Sequence, residues 1–314
     1  MLKFISKRLL ILIPVLIGVS FLVFGIMALM PADVASIQLG IAATPEGIEQ
    51  WNIDHGLDKP FFARYFDYMF HLLQLDFGKS YSTNISVSVE LGQRISTTLS
   101  LTGGTLILIM AIGIPVGIIS AVKQYSIFDT VSRVTAMLLT SVPAFWLGLI
   151  MLLKFSVELG WVPATGNGSF KSFILPWITL SAANAAQLIR MTRSTMLEVI
   201  RADYVQTARA KGAKPMRIVM IHELRNALLP MITVIGIILG QTIGGAIVTE
   251  TVFSLPGVGT YLLQGINRYD IPVVMASVLF IAAVIGVINL IVDVLYMYID
   301  PRLRSQFVKG PVKR

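Results

Sequence analysis

The chain has no cysteine, only three histidines and few charges. The missing thiols exclude disulfides and thiolate metal sites. His55, His71 and His222 are scattered along the chain, so no metal-ligand cluster is visible. Asp, Glu, Lys and Arg make up 13% of the 314 residues, about half the share of a soluble domain. Catalytic signatures are missing as well. Gly78-Lys79-Ser80 ends like a phosphate-binding loop, but Leu73 stands where its first glycine is required. His222-Glu223 opens like a zinc-protease helix, but Asn226 replaces the second ligand. Gly257-Val-Gly259 lacks the third glycine of a dinucleotide loop, because position 262 is Leu262. No serine occupies a G-x-S-x-G elbow. The expectation is a chain that is not an enzyme and binds no cofactor or metal.

What is present is apolar: 55% of the residues are hydrophobic. Runs long enough to cross a bilayer, about 20 residues each, fall near Leu9–Leu29, Thr98–Ala121, Val134–Val157, Phe173–Ile189, Ala227–Val248 and Val273–Tyr298. These predict an all-α polytopic membrane protein with six transmembrane helices. Residues 1–30 read as a retained N-terminal anchor, because the first run is too long for a signal peptide. Residues 31–97 form an extracytoplasmic loop with short helices, 98–298 a five-helix core, and 299–314 a tail. The net charge of +8 does not point to nucleic acid, since the basic residues lie in short inter-span loops. Segments 1–8, 122–133, 190–226 and 299–314 hold 18 of the 25 lysines and arginines, against six in the intervening loops. That asymmetry puts both termini in the cytoplasm, in contact with the lipid bilayer's inner face.

Within the first outer loop, Thr44 and Pro45 start a helix that Gly56 ends. The aromatic run from Pro60 to Leu75 suggests a second helix, either at the membrane interface or packed as a lid on the span ends. Gly113 and Gly117, and the series Gly236, Gly240 and Gly244, permit close helix packing. Pro115 and Pro143 predict kinks. Asn184, Gln187 and Gln241 are polar groups inside spans and candidates for a translocation path; bundle hydrogen bonds are the plainer reading of the same residues. Asp293, near a span end, calls for a structural partner.

The loop 190–226 carries the most specific signal. Asp203 and Gln206 have the spacing of a capping box, Gly212 is a left-handed stop, and Pro215 follows. A helix of about two turns results, too short to persist alone in water. It calls for a docking surface, and lipid head groups attracting its basic residues are the bland alternative. Mid-membrane ionisable groups and paired broken helices, the usual marks of an ion-coupled carrier, are not evident. Energy for transport would then enter from outside the chain, with a non-transporting scaffold and an ion-coupled secondary carrier as readings from other classes.

Thr207-Ala-Arg-Ala-Lys-Gly212, followed by His222-Glu-Leu-Arg-Asn-Ala-Leu-Leu-Pro230, resembles the EAA loop of binding-protein-dependent ABC importer permeases, in particular the B-type subunit of the peptide and nickel branch. Leu75-Asp-Phe-Gly-Lys-Ser80, Leu159-Gly-Trp-Val-Pro-Ala-Thr-Gly166, Glu250-Thr-Val-Phe-Ser-Leu-Pro-Gly-Val-Gly259, Arg268-Tyr-Asp-Ile-Pro272 and Asp300-Pro-Arg302 match in order. The resemblance implies a type I ABC importer permease fold in a bacterial or archaeal cytoplasmic (inner) membrane. It implies a second, C-type permease subunit, two cytoplasmic ABC ATPases that hold ATP and magnesium, and an extracytoplasmic solute-binding protein. Asp203, Tyr204, Thr207, Ala208, Arg209, Ala210, Lys211 and Gly212 would couple ATPase motion to the spans. The implied cargo is a di- or oligopeptide, with a nickel or metal chelate, or glutathione, as alternatives.

Overall fold

The structure, a computed structural model, describes residues 2–30, 33–165 and 169–299. Gly166 and the motif Asp300-Pro301-Arg302, with the rest of the tail, lie outside the described residues. Among the described residues the regular elements are helical, apart from one isolated bridge between Lys79 and Ser86. Hydrocarbon explains this: every buried backbone donor and acceptor needs an internal partner, and a helix supplies it. In chain order the helices are α1 (Leu2–Ala28), α2 (Val34–Leu39), α3 (Pro45–Asp54), α4 (Phe61–Leu73), α5 (Val87–Val122), α6 (Ile127–Ser141), α7 (Ala144–Met151), α8 (Phe170–Ile200), α9 (Asp203–Ala210), α10 (Pro215–Arg217), α11 (Leu224–Val252), α12 (Val258–Asn267) and α13 (Ile271–Ile299). Two π-helical turns, Leu152–Glu158 and Ile218–Glu223, follow α7 and α10.

Helices α1, α5, α8 and α13, and α11 together with the segment leading into it, are each long and apolar enough to cross a membrane. The sixth span differs from the expectation. A single helix over Val134–Val157 with a kink is not formed. Instead α6 and the α7 segment meet at 97°. Pro143 cannot donate a backbone hydrogen bond, and it pushes Val142 out of the helical region, to φ −90° and ψ 125°. Pro115, by contrast, lies inside an unbroken α5.

The chain divides into two compact units. The first is built mainly from Ser100–Ser254, with Met1–Arg8 and the segment from Ile285 onward. Helix α8 is its centre, and its buried residues run along most of its length. Small residues set the approach of α5 to it. A Cβ on Gly117 would stand 2.6 Å from Thr192 Cβ and 2.9 Å from the Ile189 carbonyl oxygen. Gly113 likewise faces Leu188. The glycine series on α11 behaves differently: Gly236 faces Val292, while Gly240 and Gly244 meet nothing within 4 Å.

Contacts inside this unit fix which helix ends share a side. Asp129, at the start of α6, joins Ser120 at the end of α5 to Arg193 near the end of α8. Helices α5 and α8 therefore end on one side, so the chain crosses once between them, and the bent α6–α7 pair counts as a broken span. Ala121, Met196, Ala227 and Met231 form a cluster that brings the start of α11 to the same side. Thr233 and Tyr296 bond to each other, and Arg8 pairs with Asp293 at 3.0 Å. The beginning of α1 and the end of α13 thus belong there too, and Asp293 has its structural partner.

The second unit joins Leu9–Leu99 to Leu255–Val284. Its core holds Val87, Leu91, Val258, Tyr261, Val273 and Ala276. Thr44 caps α3 by accepting from the Gly47 N–H at 3.1 Å, with Pro45 at the first helical position. Helix α4 packs on α1: Phe61 and Tyr65 meet the edges of Phe21 and Phe24, and the Tyr65 hydroxyl lies 2.9 Å from Ser20 Oγ. Its opposite stripe, Phe62, Phe66, Phe70 and Leu73, is exposed, as suits an aromatic face at a membrane boundary.

Candidate functional site

Helix α8 has 31 residues, about 46 Å at 1.5 Å per residue, longer than a hydrocarbon core of about 30 Å. Its last turns carry Arg190, Arg193, Glu198 and then Arg201, charges that suit the end standing clear of the hydrocarbon, and the chain turns there into α9. Ala202 is extended at φ −72°, ψ 144°, and α9 begins at Asp203. The capping box expected from Asp203 and Gln206 is not formed. Asp203 lies one residue too far into the helix to cap it, and no side-chain bond closes that end. Its carboxylate instead sits in the first turn, where it complements the helix dipole. The other end follows expectation. Gly212, at φ +77°, donates its N–H to the Arg209 carbonyl at 2.9 Å, and Ala213 donates to the Ala208 carbonyl at 3.2 Å. These two bonds make a Schellman motif, which needs the left-handed residue that glycine supplies without strain.

Helix α9 has one buried face and one free face. Val205 and Ala208 are buried; Asp203, Tyr204, Thr207, Arg209, Ala210, Lys211 and Gly212 are exposed. Seven of the eight coupling candidates thus lie at the surface, and Ala208 holds the helix down. Beyond it Pro215 opens α10, and Met216, Met220 and Ile221 add exposed apolar surface. The π-helical turn Ile218–Glu223 places Glu223 inside, with its side chain 1% exposed and one oxygen 3.3 Å from the Arg209 guanidinium. An inserted residue in a helix re-aims side chains in this way.

Asp129, Glu223 and Asp270 are three of the four buried acids among the described residues, Glu250 being the fourth, and local spacing marks none of them as buried. Asp129 accepts from Ser120 Oγ at 2.6 Å, from the Tyr125 N–H at 3.0 Å and from Arg193 at 2.6 and 2.8 Å. Glu223 is the second. In the other unit, Asp270 accepts from Ser80 Oγ at 2.6 Å and from the Ser82 N–H at 3.1 Å. The phosphate-loop look-alike at Gly78-Lys79-Ser80 is therefore an anchor for the Arg268-Tyr-Asp270 segment. Nearby Tyr261 donates to Glu90 at 2.7 Å beneath Arg94, whose guanidinium lies 4.5 Å from the ring centre. Burial, and then the Glu90 carboxylate, hold that phenol protonated well above its ordinary range. Burial also pushes Tyr81 up to about 12. No local signal marks these acids: Lys154 and Glu158 lie in an apolar run and are exposed, whereas Asp129 and Asp270 find their partners 64 and 190 residues away.

The path candidates are not brought together by any hydrogen bond among the described residues. Asn184 and Gln187 are half-buried on α8, and the Asn184 amide donates to the Leu180 carbonyl of its own helix at 3.0 Å. Gln241 is exposed on α11. Lys154, in the broken span, pairs with Glu158 at 2.6 Å. No group of three or more His, Cys, Asp or Glu able to hold a metal occurs among the described residues.

Comparison with known proteins matches residues 113–305 to the binding-protein-dependent transport system inner membrane component, and residues 1–102 to the N-terminal part of such membrane components. The chain belongs to this family. Among curated members of this transport family, it is 40% identical to the dipeptide transport system permease protein DppB of Alkalihalophilus pseudofirmus, over 97% of this chain and all of that one. It is 38% identical to the di/tripeptide transport system permease protein DppB of Pseudomonas aeruginosa, over 98% and 100%. It is 41% identical to the glutathione transport system permease protein GsiC of Salmonella choleraesuis, over 97% and 99%. The inward facing MetNI methionine ABC transporter shares the fold, with a TM-score of 0.57 at 23% identity over 67% of this chain and 96% of that one. This transport-system component is thus a multi-pass inner-membrane permease subunit with the type I ABC importer permease fold.

Proposed function

We propose that the chain forms half of the translocation pathway of an ATP-driven importer of di- or oligopeptides. Full-length similarity to permeases named for dipeptides, di/tripeptides and glutathione carries the reading, because all three cargoes are peptides. The same similarity keeps glutathione as a second cargo. A C-type permease subunit supplies the other half. Two cytoplasmic ABC ATPases bind ATP and magnesium, and a solute-binding protein delivers cargo from the far side. This chain itself binds no cofactor.

The positive-inside asymmetry puts the shared side of the helix ends in the cytoplasm. Helix α9 and Gly212 then face the ATPases. The exposed row of Asp203, Tyr204, Thr207, Arg209, Ala210 and Lys211 takes up their motion, with Ala208 and Val205 transmitting it to the bundle. Asn184, Gln187 and Gln241 line the path.

The test is reconstitution of the complete complex with labelled dipeptide. ATP-dependent uptake is expected, with Walker-motif ATPases co-purifying. Gly212→Asp is expected to abolish cargo-stimulated ATP hydrolysis without changing membrane insertion. Uptake by the chain alone down a proton gradient would refute the reading, and uptake of nickel but not peptide would replace the cargo.

A further inference from the structure

Behind α9 the first unit contains a cavity of about 360 Å³. Its walls include Val122, Ile200, Ile218 and Val219, with Arg209 and Glu223 as its charged groups. Glu223 is the anomaly. One of its oxygens meets Arg209 at 3.3 Å. The other is buried and has no hydrogen-bond partner. A carboxylate oxygen removed from water without a donor is costly. Arg209 does not cover the deficit: its side chain is 47% exposed, and it reaches one oxygen only.

The geometry points to a lysine of the ATPase partner that enters this cavity, draws the Glu223 carboxylate out to the wall that Glu223 lines, and places its ammonium against the oxygen that is otherwise buried and unbonded. This rests on the reading that the ATPases dock at α9. The chemistry of the cavity selects the side chain. Its apolar walls suit the four-carbon stem of lysine, which packs against hydrocarbon while carrying a charge at the tip. An arginine binds carboxylates best with a two-pronged fork, and Arg209 already occupies one oxygen. A single free acceptor suits a compact point charge. Exposed Met216, Met220 and Ile221 supply apolar docking surface on the same loop. Contact would then be reciprocal: α9 presses on the ATPase, and an ATPase lysine presses into the permease.

The absence of cysteine makes a direct test possible. In the complete complex, Val219→Cys introduces the only thiol of this chain, on the wall of the cavity. A short thiol-to-amine cross-linker is added, and mass spectrometry reads the joined peptides. An adduct between Cys at 219 and an ATPase lysine is expected, and Glu223→Gln in the same background should strongly reduce it. Glu223→Gln alone should leave the ATPases co-purifying while cargo-stimulated hydrolysis falls about tenfold or more, as loss of a charged hydrogen bond implies. If the ATPases co-purify but no lysine is joined at 219, or if Glu223→Gln retains full stimulation, the lysine assignment is wrong and the importer reading stands. If no ATPase co-purifies, both fall together.

Discussion

Two loops on the same side of the first unit treat a buried carboxylate in opposite ways. In the turn between α5 and α6, Asp129 is fully enclosed, and both of its oxygens are engaged, by Ser120, the Tyr125 amide and the two-pronged Arg193. In the loop between α9 and α11, Glu223 is equally buried, yet one oxygen is bonded and the other is not. A hub with every valence filled ties three helix ends into one rigid joint. A hub half filled, beside a cavity, suits a contact that another molecule completes. Asp270 in the second unit belongs with the first kind, since Ser80 and Ser82 engage it from 190 and 188 residues away.

The largest expected effect is at the filled hub. Arg193→Ala leaves Asp129 buried with only the half-exposed Arg133, at 3.6 Å, as countercharge and is expected to cost about 3–5 kcal/mol. Thermal unfolding in detergent, followed by size-exclusion chromatography, measures it. The sharper version removes both charges. A paired replacement of Asp129 and Arg193 by leucine is expected to recover most of the loss, because an apolar pair needs no countercharge. If the double variant is as damaged as the single one, the hub acts through more than its charge pair.

Next in size is Asp270→Ala, which deprives the Ser80 hydroxyl and the Ser82 amide of their acceptor. Each bond to a charged group is worth about 1.5–3 kcal/mol, so a loss of about 2–4 kcal/mol is expected once water partly replaces the carboxylate. Asp270→Asn keeps one acceptor oxygen and should fall between the two. Limited proteolysis around Lys79 in the two variants distinguishes a freed anchor from global unfolding. Equal protection in Asp270→Ala and the parent would show that the anchor is not held by this carboxylate.

The sequence made some of this plain and hid the rest for a physical reason. The long apolar runs, the Thr44-Pro45 helix start and the Gly212 stop were legible because each is a local rule: bilayer thickness, a cap bond three residues on, a left-handed φ. The 97° break at Pro143 was half legible, since the proline was visible but not the extended conformation that Val142 takes before it. The capping box failed by one residue, which spacing alone cannot resolve. The Asp129–Arg193 pair spans 64 positions and the Asp270–Ser80 pair 190. Nothing local links their members; only the folded chain does. Helix α9 was legible as a short capped element, whereas the cavity behind it depends on a π-helical turn that no spacing rule announced.

The smallest expected effect is the most telling for the comparison. Glu223→Leu removes a buried carboxylate whose partner, Arg209, can return to water because it is already half exposed. An apolar side chain of similar size in an apolar-walled cavity loses no satisfied buried donor. Replacing a poorly satisfied polar group in this way is close to neutral, or slightly stabilising. The isolated chain should therefore change by less than about 1 kcal/mol, several-fold less than Arg193→Ala. The same detergent unfolding assay reads both variants side by side. A loss for Glu223→Leu as large as that of Arg193→Ala would mean that Arg209 alone makes Glu223 a filled hub, and the contrast between the two loops would disappear. A small loss in the isolated chain, combined with a large loss of cargo-stimulated hydrolysis in the complex, would separate what the carboxylate does for folding from what it does for a partner.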